Sequence, residues 1–453
     1  MSDSNRSTTP ASDTFRDFIT QGWAPRDEVA ASEAEVAKFA AARRARLSAA
    51  HLGERIVIAA GAPKPRSNDV DYPYRAHTSF TYLTGWGSDT VPGAKLVLEP
   101  IEDGHEATLY FREGAGRDTD EFYANSAIGE FWTGPRPSLE QVSTQLAIAT
   151  KHIDDFEHRR GDLELDTPQL AQELSEMRLV KDEWEIQQLR DAVAATARGF
   201  DDIISELDRA SAHPRGERIV EGAFHFRARL DGNAVGYDTI AASGAHACIL
   251  HWVDNDGPVR PGDLILVDAG VEVDSLYTAD ITRTMPINGT FSDVQRRVYE
   301  AVRKAADTAF AIVKPGITFR DVHDTALRSI AESLDAWGLL PMSLEEALQP
   351  GNQPHRRYMV HGTSHHLGLD VHDCAQARRE MYLDGTVQAG MVFTIEPGLY
   401  FQPDDLTVPE EYRGIGVRIE DDILVTEHGA ENLSIEIPRT ADEVEAWMRR
   451  VQS

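Results

Sequence analysis

Residues 264–287, LILVDAGVEVDSLYTADITRTMPI, restrict the fold more than any other stretch of this 453-residue chain. Two β-prone arms flank an Asp-Ser turn at Asp274 and Ser275, the pattern of a hairpin. Asp268 stands six residues before Asp274 and Asp280 six after it, so a turn centred there sets the two carboxylates opposite each other. Directly opposed Cβ atoms in such a pair lie about 4.5–5.5 Å apart. Two like charges that close raise each other's pKa unless a cation lies between them. A lone strand aspartate is usually a turn or edge residue. An opposed pair among apolar neighbours is a candidate metal site.

The chain is long enough for two domains. Residues 1–30 are rich in Ser, Thr and Asp and are expected to be mobile. Short apolar runs at 56–61 (IVIAAG), 94–98 (AKLVL) and 107–111 (ATLYF) mark strands of an α/β segment. From Val180 the texture changes. Ile186, Leu189, Val193, Ala197, Phe200, Ile204 and Leu207 recur in steps of three and four, which makes an amphipathic helix. A second helix follows Ser292 as N-cap and stops at Pro315-Gly316; a third carries Phe319, Val322, Ala326, Ile330 and Leu334 inward. Helices thus bracket strand-rich segments at 236–290 and 390–436, a helix-plus-strands unit used twice.

Composition narrows the partners. Lys and Arg total 45 against 75 Asp and Glu, a formal charge of −30. No basic face for nucleic acid is expected. No apolar run of about 18 residues is present to cross a membrane, and the polar N-terminus lacks the apolar core of a secretory signal; a cytoplasmic location is the expectation. Two cysteines, Cys248 and Cys374, form neither a disulfide framework nor a zinc-finger pattern and read as small buried residues.

Three further clusters carry chemistry. VHGTSHHLGLDVHD, residues 360–373, holds His361, His365, His366 and His372 in a stretch too Gly-rich for a stable helix. His323, alone on the third helix, reads instead as a surface or core residue. MVFTIEPGLY, residues 391–400, ends an apolar strand on Glu396. In GIGVRIEDDILV, residues 414–425, Arg418 and Glu420 are two apart on a strand and share a face. Asp422 shares that face too, so a salt bridge to Arg418 is open to it. Asp268, Asp280, Glu396 and Glu420 offer oxygen and one imidazole offers nitrogen. Such a hard donor set suits manganese first, with cobalt, iron or zinc as alternatives. Four negative charges exceed what one divalent ion needs and fit two ions sharing bridging carboxylates and a bridging hydroxide.

In order along the chain, DAG at 268–270, TADITRT at 278–284, HGTSHHLGLDVHD at 361–373, TIEPGLY at 394–400 and VRIEDDILVT at 417–426 resemble the M24 metallopeptidases, and among them the aminopeptidase P branch. RSNDVDYPYRAHTSFTYLTGW at 66–86 resembles that branch's first domain. The resemblance implies an α/β (α+β) chain with an N-terminal domain over 31–175 and a pita-bread catalytic domain over 176–453. It implies Asp268, Asp280, His365, Glu396 and Glu420 as metal ligands, with Asp280 and Glu420 bridging two ions. His251 would line a proline pocket, His361 and His372 would stand near the scissile carbonyl, and Arg418 would orient the carboxylates. Trp132, in FWTG at 131–134, would roof a neighbouring subunit's site, in a dimer or tetramer.

The activity so implied removes the first residue from peptides with proline second, Glu396 moving the proton. Xaa-Pro dipeptidase is the nearest alternative, and a metal-free peptide- or protein-binding module the next. Two features depart from the pattern: His366 stands where the family often has another aromatic, and the 268–280 hairpin is one residue longer. The extra residue must enter the turn or a bulge, or one aspartate changes face.

Overall fold

The computed structural model describes residues 10, 12–24, 30–68 and 70–453. The chain forms two compact units, residues 1–170 and 171–453. Much of the segment expected to be mobile, residues 1–9, 11 and 25–29, lies outside the described residues. Its described part holds helix α1 (Asp13–Ile19), capped by Ser12, with Phe15 meeting Tyr123 edge-on at 5.0 Å.

In the first unit, α2 (Val36–Ala50) precedes β1 (Ile56–Ala59) and α3 (Thr78–Thr84). There follow β2 (Lys95–Ile101), β3 (Gly104–Phe111), α4 (Leu139–Leu146), β4 (Ala149–His152) and β5 (Leu163–Glu164). The strands order as β4-β3-β2-β1-β5. The three apolar runs of the sequence became β1, β2 and β3, and Ile56, Leu96, Leu98 and Leu109 are buried.

The second unit pairs helices with strands twice. Helices α5 (Glu183–Ser211) and α6 (Gly216–Asp231) precede β6 (Ile240–Ser243), β7 (Leu264–Ala269) and β8 (Ile281–Pro286). These strands order as β8-β7-β6. Helices α7 (Asp293–Ala311) and α8 (Phe319–Ala336) precede β9 (Val392–Ile395), β10 (Gly398–Tyr400), β11 (Gly416–Arg418), β12 (Asp421–Val425) and β13 (Ala430–Asn432). Ser292 caps α7 in a full capping box with Gln295, as its sequence signature requires. Ala309 of α7 and Phe319 and Val322 of α8 bury against Phe393 and Ile395 of β9 and Ile423 of β12. One apolar face per helix and two β segments therefore make two layers whose strands carry the acidic motifs.

The hairpin departs from the register expected of it. Asp268 pairs with Thr282, not with Asp280. The turn centres on Ser275, one residue later than read: Glu272 bridges Thr278, and Val273 N–H donates to Tyr277 O at 3.0 Å. The connection is a three-residue loop, Asp274–Leu276, closed by Leu276 in the left-handed region at φ 71°. Moving the centre by one residue moves the partner by two, so Asp280 becomes the diagonal neighbour and stays on the face of Asp268. The same register holds at Asp268–Thr282 and at Glu272–Thr278, so no bulge separates the aspartates from the turn.

Candidate active site

Asp268 is the penultimate residue of β7, Asp280 immediately precedes β8, and Glu396 follows β9. Glu420 does not lie within a continuous strand with Arg418, as its spacing implied; it stands in the break between β11 and β12. The backbone closes tightly beside the first pair: a Cβ on Gly270 would fall 1.8 Å from Ala279 O, so the DAG glycine is required by space. These carboxylates, with His251, His361, His365 and His372, line one cavity of about 540 Å³. The four expected carboxylates and three of the four loop histidines thus share one cavity.

Hydrogen bonds set the arrangement. The Tyr237 hydroxyl lies 2.7 Å from Asp268 Oδ1 and 2.5 Å from Asp280 Oδ1. A phenol carries one proton, so the second contact demands a proton on a carboxyl or a cation nearby. Arg418 Nη2 donates to Asp268 Oδ2 at 2.5 Å, Nη1 to Tyr400 Oη at 3.0 Å and Nε to Thr282 Oγ1 at 3.0 Å. Thr282 Oγ1 donates in turn to Glu420 Oε2 at 2.6 Å. Arg418 is therefore engaged by Asp268, and the salt bridge to Asp422 that the sequence left open does not form. Asp422 accepts instead from the Asp280 backbone N–H at 3.2 Å.

Burial dominates the electrostatics. It raises the Glu396 carboxyl to about 7, with Asp280 and Asp268 adding to the shift and His365 and Arg418 opposing it. Burial likewise raises Asp268 and carries Glu420 well above the usual carboxylate range, each helped by neighbouring carboxylates. For His365, burial alone would lower the pKa. The Asp280 hydrogen bond and the Glu396 charge outweigh it and bring the imidazole to about 9. Protons thus gather where negative charge is crowded, the behaviour of a site built around cations.

The donor set fits such ions. Oxygens of Asp280 and Glu420 and a nitrogen of His365 all lie within 4.8 Å of one another. His365 Nδ1 donates to the His366 carbonyl at 3.2 Å, and Nε2 faces Asp280 Oδ2 at 3.2 Å and Glu396 Oε1 at 3.6 Å. The backbone bond fixes the tautomer that leaves Nε2 for a metal. Neither cysteine belongs to the cluster; both are buried, and burial pushes the Cys248 thiol up to about 12.

The histidines divide by environment. His361 Nδ1 donates to Gly362 O at 2.6 Å, and Nε2 accepts from the Tyr400 hydroxyl at 2.8 Å. Burial, then Arg418, lowers it to about 3, so it is neutral. His372 lies edge-on to His365, ring centres 4.4 Å apart, and is lowered by burial and by the charge of His365. His251 lines the cavity from a more exposed position. His366 turns away, stacked on Phe319 at 4.6 Å and edge-on to Tyr382, and burial lowers it to about 3. It does not enter the pocket.

Sequence reasoning missed Tyr237, Thr282 and Tyr400, which carry the contacts among the charged groups. None has a spacing signature; Tyr400 was visible only as the last residue of TIEPGLY. His323, read as a surface or core residue, does more. Its Nδ1 accepts from the Thr363 backbone N–H at 3.1 Å and meets Thr363 Oγ1 at 2.9 Å, and its Nε2 stands 3.1 Å from Arg356 Nη1, tying α8 to the histidine loop. Trp132 lies in the first unit on a short helix, Glu130–Thr133. It is 60% exposed and donates Nε1–H to Tyr123 O at 2.8 Å.

Residues 187–427 match Metallopeptidase family M24, and residues 40–165 match the Aminopeptidase P, N-terminal domain. The chain belongs to the M24 metallopeptidase family. Xaa-Pro aminopeptidase 2 of Streptomyces coelicolor is 51% identical, covering 96% of this chain and 95% of the relative. Xaa-Pro aminopeptidase of Escherichia coli is 33% identical over 92% of this chain and 98% of its own. Among solved structures, zinc-substituted E. coli aminopeptidase P in complex with product superposes with TM-score 0.79 at 30% identity, over 93% of this chain and all of that one. Pseudomonas aeruginosa aminopeptidase PepP gives 0.78 at 28% identity, over 92% and 98%. This M24 chain therefore has the two-domain architecture of the aminopeptidase P branch and is a metallopeptidase whose centre takes divalent ions.

Proposed function

We propose that the chain is a Xaa-Pro aminopeptidase that hydrolyses the bond between a first residue and a penultimate proline. The observation that carries this is the convergence of Asp268, Asp280, His365, Glu396 and Glu420 in one cavity with His251, His361 and His372. Asp268, Asp280, His365, Glu396 and Glu420 would hold two divalent ions, manganese first, with Asp280 and Glu420 shared between them. When bound, the ions supply hydroxide from water at neutral pH and polarise the scissile carbonyl.

The chain's own residues do the rest. Glu396, which lines the cavity 3.6 Å from His365 Nε2, takes the water proton and passes it to the leaving proline nitrogen. Arg418 holds Asp268 in place and balances its charge. His372, which lines the cavity edge-on to His365, faces the carbonyl as it gains negative charge. His361 supports it, with Nε2 already accepting from Tyr400. The proline ring sits against His251 and the apolar side chains of Ile240, Leu250 and Val253, which line the same cavity.

Trp132 would roof the site of a neighbouring subunit in a homo-oligomer, consistent with its exposed ring. A cytoplasmic location accords with the bacterial relatives; among the described residues no helix is long and apolar enough to cross a membrane. The relatives' names disfavour a dipeptidase restricted to Xaa-Pro, and the complete donor set disfavours a binding module.

The test is incubation of metal-supplemented protein with Xaa-Pro dipeptides and Xaa-Pro-Xaa peptides, reading release of the first residue. Cleavage of the longer peptides is expected. Cleavage of dipeptides alone would assign a prolidase instead.

A further inference from the structure

Glu217, in the first turn of α6, is fully buried and has no part in the chemistry described above. Its carboxylate nevertheless accepts four hydrogen bonds. Oε1 accepts from Ser243 N at 2.8 Å and from His246 Nδ1 at 2.8 Å. Oε2 accepts from Trp252 Nε1 at 2.9 Å and from Gly257 N at 2.6 Å. The Glu217 backbone N–H donates back to Gly257 O at 3.1 Å.

All four donors belong to one segment, Ser243–Gly257. Ser243 and Gly257 are its ends; His246 and Trp252 are its middle, stacked on each other at 3.9 Å. The fit is close, since a Cβ on Gly257 would fall 2.8 Å from Glu217 Oε2 and 2.5 Å from the His246 ring. Leu250, His251 and Val253 of this segment line the catalytic cavity. Trp252 and Leu250 also pack on the buried cluster of Ile240, Ala242 and Tyr400 behind it.

We propose that Glu217 is a positioning residue of the substrate pocket: its buried carboxylate gathers the ends and middle of Ser243–Gly257 and so fixes where Leu250 and His251 stand. The inference rests on the role assigned to His251 in the proline pocket. A carboxylate is required because four donors need two acceptor-only oxygens. An amide at this position cannot satisfy them. Placed at the Oε2 side, its NH2 meets the obligatory donors Trp252 Nε1–H and Gly257 N–H. Placed at the Oε1 side, His246 can accept by changing tautomer, but Ser243 N–H loses its partner.

The experiment compares metal-loaded, full-length Glu217→Gln, His251→Ala and the double variant on an Xaa-Pro-Xaa peptide, with metal content and thermal midpoint measured alongside. Glu217→Gln should raise KM about tenfold, the size of one lost buried hydrogen bond, with kcat within about a factor of two and metal content unchanged. Residues acting through one contact are not additive, so the double variant should show no more than the larger single effect. A lowered thermal midpoint with wild-type KM, or effects that multiply, would overturn the role of Glu217 while leaving the pocket intact. A wild-type KM in His251→Ala would overturn the pocket reading and this inference with it. Trp252→Phe keeps the stacked ring and deletes one donor; about a threefold rise in KM is expected, and no rise overturns the proposal even if Glu217→Gln does not fold.

Discussion

Arg418 Nη2 stands 2.5 Å from Asp268 Oδ2, both groups buried, with Tyr400 and Thr282 holding the other edges of the guanidinium. Removing one partner of such a pair leaves an uncompensated buried charge. Arg418→Met should therefore weaken metal affinity about 10- to 100-fold, as loss of an outer support of a metal site does. Titration of manganese into the variant, followed by calorimetry, reads this directly. Wild-type affinity would remove Arg418 from the site's support.

Glu396→Gln keeps shape and burial but loses the carboxyl raised to about 7. Turnover should fall by at least about 10²-fold, the range of general acid–base contributions, with circular dichroism unchanged. Near-normal turnover at full metal occupancy would end its assignment as proton carrier.

Metal binding should release protons. In the metal-free site the Glu396 carboxyl is raised from 4.5 to about 7, and the His365 imidazole from 6.5 to about 9. Between those limits the folded, metal-free chain holds more protons at these groups than the unfolded chain. The stability they contribute is present at low pH and is lost as pH rises through about 7 and about 9. Metal ligands must be deprotonated, so affinity runs the opposite way and increases across that window. The rise in thermal midpoint on adding manganese should grow from pH 6 to pH 9. Calorimetry in buffers of different ionisation enthalpy should record net proton release at pH 7, and zero release would contradict the assigned protonation states.

His366→Phe should be tolerated. The ring lies between Phe319, Tyr382 and Phe393, outside the cavity, and its Nδ1 is buried without a hydrogen-bond partner. Stability should change by no more than about 1 kcal/mol, with activity and metal content retained. Loss of metal would show that His366, and not His365, supplies the nitrogen ligand.

The sequence carried the site further than it carried the site's connections. Carboxylates on apolar strands stand out because burial of charge is costly, so Asp268, Asp280, Glu396 and Glu420 were legible as a group. Periodicity placed the long helices because one face of each is buried. The register of the hairpin was not legible, since a turn centred on Asp274 and one centred on Ser275 leave the same residues on the same face. Tyr237, Thr282 and Tyr400 were not legible either. A tyrosine that joins two carboxylates and one in an ordinary core look alike until the chain brings the partners together. Glu217 was hidden for the same reason, its four donors lying 26 to 40 residues away along the chain.

The proposed metal donors enter from the end of β7, the start of β8, the histidine loop, the residue after β9 and the break before β12. None of these segments has enough of the set to hold an ion alone. The full proposed set therefore exists only where the late residue Glu420 has closed onto the earlier strands beside Asp280 and His365, and a chain cut before Glu420 is expected to bind fewer ions than the whole one.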